Sequence, residues 1–107
     1  MIYKFKSKAA GDLIMLGPNG DALLRAIGRD PSPKGIIEPA AMPAAIEAIE
    51  RTIAADEAAR ADAEREARDQ GEQLPPREGV TPRQRLFPMV DMMRRAIKDD
   101  EPIVWGV

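Results

Sequence analysis

Cysteine and histidine are both absent from the 107 residues. Without thiols there is no disulfide, no thiolate nucleophile and no cysteine metal site. Without imidazole there is no histidine triad and no histidine acid–base pair. Zinc centres of the common kinds need one or the other, so no metal site is expected. An all-carboxylate Mg²⁺ or Ca²⁺ site would need clustered acids, and no EF-hand-like loop occurs. Carboxylates, one tyrosine and the lysines are what remains for catalysis. An enzyme is therefore the least favoured reading, with no catalytic residue and no cofactor expected.

Aromatic side chains are few: Tyr3, Phe5, Phe87 and Trp105. Such a set offers no stacking platform for nucleic acid, and the chain as a whole is slightly acidic, at −2. No apolar run approaches the roughly 18–20 residues needed to cross a bilayer. The first residues, Met-Ile-Tyr-Lys-Phe-Lys, lack the apolar stretch of a signal peptide. A cytoplasmic protein that binds neither membrane nor nucleic acid is the expectation.

The charge is unevenly spread. Residues 1–34 hold six basic and three acidic side chains, residues 35–80 five and eleven, and residues 81–98 five and one; Asp99, Asp100 and Glu101 follow. Opposite regions can neutralise one another across a fold.

The middle of the chain reads as one long helix over 43–70. Met42, Ile46, Ile49 and Ile53 recur at four, three, four, which places them on one side of a 3.6-residue helix. Pro43 suits its first position, and Gly71 suits the left-handed residue just past its end. Beyond Ile53 only alanines continue the row, at Ala55, Ala59, Ala63 and Ala67. Around them opposite charges four apart, such as Arg60/Glu64, each add about 0.2–0.5 kcal/mol to a solvated helix. So the near half docks on a core. The distal half, 54–70, and the Pro- and Gly-containing linker 71–80 lie largely outside it.

Ile2–Lys6 alternates as a strand, with Tyr3 and Phe5 on one side and Lys4 and Lys6 on the other. Ser7–Asp12 reads as the connection to Leu13–Leu16, a fully apolar run that suits a buried partner strand. Gly17-Pro18-Asn19-Gly20 is a turn on composition, followed by a short helix with Leu23, Leu24 and Ile27 on one side. Ile36-Ile37 is a brief extended patch. Glu38, near a helix start, reads as an ordinary carboxylate rather than a general acid, having no partner at a catalytic spacing.

Thr81-Pro82-Arg83-Gln84 is a capping box with proline in the first helical position. Leu86, Val90, Met93 and Ile97 then mark the docking face of a helix ending near Lys98, which Pro88 interrupts. The last segment, 102–107, is strand-like. Gathering the four aromatics into one cluster puts it beside the first strand. The expected fold is α+β: one domain over 1–107, with a small antiparallel sheet of N-terminal hairpin plus C-terminal strand, packed against helices, one of them long and projecting.

These pieces resemble a family of short bacterial proteins known as domain of unknown function 1840. The resemblance rests on Tyr3-Lys4-Phe5-Lys6-Ser7, Met15-Leu16-Gly17-Pro18-Asn19-Gly20, Met42-Pro43-Ala44-Ala45-Ile46 and Val104-Trp105-Gly106-Val107. It implies a small bacterial cytoplasmic protein and assigns no activity or site residue.

Two functions follow from the residues themselves. The first is a non-enzymatic interaction or self-associating module. It would use the alanine row (Ala55, Ala59, Ala63) or apolar surface around Met89 and Met92, with another copy or a protein partner. The alternative is a small anion- or phosphometabolite-binding protein. It would use the Gly17–Asp21 turn, with Gly17, Asn19, Gly20, Arg25 and Lys34 around the anion.

Overall fold

The structure is a computed structural model that describes residues 2–77 and 79–107. Met1, and Glu78 within the 71–80 segment, lie outside the described residues. Four strands, β1 (Ile2–Ser7), β2 (Ala10–Leu16), β3 (Gly35–Ile37) and β4 (Ile103–Trp105), form one antiparallel sheet in the order β2-β1-β4-β3. Three helices pack against it: α1 (Gly17–Ala26), α2 (Met42–Asp69) and α3 (Pro82–Asp99). The fold is α+β, with the last strand beside the first.

Alternation along the strands decides the layers. Tyr3, Phe5, Met15, Ile37, Ile103 and Trp105 are buried, and all belong to the sheet face turned to the helices. Tyr3 stacks on Phe5, with ring centres 5.7 Å apart, and Phe5 meets Trp105 edge to face at 5.5 Å. The fourth ring does not join them. Phe87 stays 40% exposed, with the Arg94 guanidinium over its face. One residue along a helix is a rotation of about 100°. Leu86, Met89, Val90 and Met93 take the inward side of α3, so Phe87 is carried outward. Ile97 is likewise partly exposed, and Ala96 holds the buried place.

The hairpin connection is shorter than the sequence suggests. β2 begins at Ala10, and only Lys8 and Ala9 form the turn, closed by the Ala9 N–H donating to Ser7 Oγ at 3.2 Å. Nor is Leu13–Leu16 buried on both faces. β2 is an edge strand, and Ile14 and Leu16 point to the uncovered side. Gly17–Gly20 is not a free turn but the first turn of α1, entered directly from β2. Proline near position one lacks an N–H that would have no partner there.

α2 is 28 residues long, about 42 Å at 1.5 Å per residue, and it sets the longest dimension of the molecule, 52 Å. Met42, Ala45, Ile46, Ile49 and Ile53 are buried in its near half. In its distal half only Ala67 is buried. Gly71 closes the helix with φ +73°. The chain then returns along α2. Arg60 donates to the Pro75 carbonyl at 2.7 Å, and Arg77 pairs with Asp56 at 3.1 Å. Leu74, half-buried, lies beside Glu64 and Arg68. Residues 71–77 are therefore a strap on the rod rather than a free linker.

α3 starts on its capping box: Gln84 N–H donates to Thr81 Oγ1 at 3.1 Å, and Thr81 N–H donates to Gln84 Oε1 at 2.8 Å. Arg83 makes a two-pronged contact with Glu57, at 2.8 and 2.9 Å, tying this start to α2. Those hydrogen bonds hold the Glu57 carboxyl below its ordinary range. The helix continues through Pro88.

Candidate functional site

With all three helices on one side, the other face of the sheet is open. It is formed by Ile14 and Leu16 of β2, Ile2, Lys4 and Lys6 of β1, Val104 of β4 and Ile36 of β3. The register sets Ile2 beside Leu16, Lys4 beside Ile14, and Lys6 and Ile36 on either side of Val104. Ile2, Ile14 and Leu16 are 64%, 60% and 63% exposed and adjoin one another. Single exposed apolar side chains are ordinary, but three large ones in one patch on a regular sheet call for a reason. The sequence carried a signal for this. It supplies helices enough to cover one face of a sheet, so half of any continuous apolar strand had to remain outside.

The start of α1 is packed rather than open. Gly17 and Gly20 are buried, and the Tyr3 ring packs against Gly20 so closely that a Cβ there would overlap it. The Asn19 amide oxygen accepts from the Arg85 guanidinium. The Tyr3 hydroxyl donates to Asp21 Oδ1 at 2.5 Å, so the nearest carboxylate of α1 is already engaged with the sheet. Arg25 is exposed one turn further on. Lys34 leads into β3 on the far edge of the sheet, beside Gly106. At a strand spacing of about 4.8 Å that is roughly 14 Å from β2. The five residues of the anion reading are thus not gathered round one point.

Burial first, then the Asp21 carboxylate its hydroxyl bonds, push the Tyr3 phenol above its ordinary value of 10.0. A phenol harder to ionise in the folded state gives stability that is whole below pH 10 and is lost as pH rises through the folded value. Urea unfolding followed from neutral to strongly alkaline pH should show a steeper loss above pH 10 in the native chain than in Tyr3→Phe. Parallel curves would contradict this.

The chain matches the model of the family described as domain of unknown function DUF1840 over residues 1–105. It belongs to that family. No curated protein and no solved structure is detectably similar to it.

In this DUF1840 member, Met89 and Met92 are core side chains, 0% and 4% exposed, so neither forms surface. They fall on the inward side of α3 together with Leu86 and Met93. Ala55, Ala59 and Ala63 are exposed on the distal rod. Glu38 is exposed before a short 3-10 turn, Pro39–Ala41. Asp12 and Asp91 line one small open hollow of about 180 Å³, but each carboxylate has its own cation, Lys4 at 3.9 Å and Arg95 at 3.5 Å. That hollow is below the usual 300–1,000 Å³ of a ligand pocket. Among the described residues no three acidic side chains converge as a metal centre would need. Nor, among them, is any helix long and apolar enough to cross a membrane.

Proposed function

We propose that this DUF1840 protein is a non-enzymatic, self-associating module that pairs with a second copy through the open face of its sheet. The observation that carries the reading is the adjoining exposure of Ile2, Ile14 and Leu16. A two-fold interface brings the same patch from each copy together, so an apolar patch is its own complement. Lys4, beside Ile14 on the inner strand β1, borders the patch and pairs with Asp12 at 3.9 Å, so the apolar contact is confined to the corner made by Ile2, Leu16 and Ile14. β2 itself carries neither lysine nor proline, the residues that usually guard an edge strand against pairing. Water released from three aliphatic side chains per copy is the driving force.

Size-exclusion chromatography with light scattering tests the reading. The native chain should run at twice its own mass at micromolar concentration. The double variant Ile14→Lys, Leu16→Lys should run at the mass of one chain with its circular dichroism unchanged. Neither side chain is buried, so the fold has no stake in them. A native chain monomeric at every concentration, or a double variant that still pairs, would refute it.

A further inference from the structure

A cavity of about 540 Å³ opens where the free edge of β2 meets the starts of α1 and α3. Its size is that of a ligand site rather than of a packing fault. Its wall is chiefly apolar, from Leu13 and Met15 of β2, Ala22 and Ala26 of α1, and Leu86 and Pro88 of α3. The room exists because α1 turns its bulky Leu23 and Leu24 into the core and its alanines toward this space. The cavity is open to solvent on one side, so its apolar wall meets water that a filling molecule would displace.

Among the described residues one charged side chain, Arg85, lines the cavity, and it is a cation. Arg85 donates to the Asn19 amide oxygen, a neutral partner, and among the described residues it has no carboxylate. Arg83, two residues earlier, is by contrast locked on Glu57. The remaining N–H groups of Arg85 form a planar fork that matches a carboxylate. A single guanidinium balances a single negative charge, whereas a phosphate monoester would keep a second one uncompensated.

We propose that this cavity binds a single-chain aliphatic carboxylic acid, with the chain against Leu13, Met15, Ala22 and Leu86 and the carboxylate on Arg85. The cavity adjoins the sheet-face patch, since Ile14 and Leu16 also border it. Leu13, Met15, Ala22, Leu86 and Arg85 lie off that face, so the ligand reading does not depend on the association.

Calorimetric titration of the full chain with decanoate is the test, with decan-1-ol and decylamine as probes of the head group. Decanoate should bind saturably, one per chain. Ala22→Trp, which places an indole in the cavity, should abolish binding of both decanoate and decan-1-ol. Arg85→Gln should weaken decanoate about tenfold, the scale of one charge-assisted hydrogen bond, and leave decan-1-ol unchanged. Decylamine should bind least. No saturable binding, binding that survives Ala22→Trp, or decylamine binding as tightly as decanoate would overturn the proposal. Ala22→Trp changes none of Ile2, Ile14 and Leu16, so its mass by light scattering should equal that of the native chain. The two readings can therefore fail separately.

Discussion

Phe5→Ala is expected to cost about 3–5 kcal/mol of folding free energy, the usual range for emptying a phenylalanine site in a core. Phe5 is wholly buried and touches Tyr3 on one side and Trp105 on the other. Those ring contacts are worth about 0.5–1.5 kcal/mol each beyond the area they bury. The position matters for a second reason. Among the described residues β1 and β4 share only the pair Lys6 and Val104 in their backbone ladder, so side chains do much of the joining. Losing Phe5 frees the N-terminal hairpin from the C-terminal strand. Small domains are stable by about 5 kcal/mol at the low end, so the variant should be largely unfolded in modest urea. Circular dichroism with urea measures it, and Phe5→Leu should retain about half the lost stability. A midpoint unmoved by Phe5→Ala would mean that the aromatic row does not hold the sheet together.

Gly20→Ala is expected to cost about 3 kcal/mol, the upper part of the range for overpacking. A methyl group there would stand 2.0 Å from one Tyr3 ring carbon and 2.6 Å from another. The ring cannot withdraw, because it is stacked on Phe5 and its hydroxyl is held by Asp21. The effect should vanish with its cause. In a Tyr3→Leu background the same glycine-to-alanine change should become neutral or stabilising by up to about 1 kcal/mol, since alanine is the better helix former. A double-mutant cycle on thermal unfolding reads the coupling directly. Additive costs would show that the destabilisation comes from somewhere other than the ring.

Much of this arrangement was legible because local chemistry and tertiary packing agree. Thr81, Pro82 and Gln84 cap α3 wherever the helix is placed, since each bond lies within four residues. The isoleucines of α2 buried themselves as their spacing required. Other features depended on neighbours. Phe87 is as apolar as Phe5, yet it sits one step off the face that α3 turns inward. Gly17–Gly20 has the composition of a turn, but the same residues tolerate a helical first turn, and β2 feeds straight into it. Residues 71–77 look like a free linker until Arg60, Asp56 and Ala67 are seen to receive them.

The candidate surfaces divide in the same way. The anion reading joined Gly17 to Lys34 because they are near in sequence, and the sheet then set them on opposite edges. Met89 and Met92 suggested a surface because methionine suits adaptable contacts, and the pitch of α3 put them inside. Ile14 and Leu16 passed as core because nothing local distinguishes the covered face of a strand from the open one, whereas the alternation of β1 had already set Ile2 on the side of Lys4 and Lys6.

The sequence by itself determined the element types, the aromatic pairing of first and last strand, the caps of the helices and the absence of cysteine and histidine chemistry. These follow from side-chain periodicity and from which functional groups exist at all. Only the tertiary structure decided which face of the sheet the helices cover, which apolar side chains are left in water, and where Arg85 meets a cavity. Burial depends on what lies opposite a residue, and that partner is supplied by segments far along the chain.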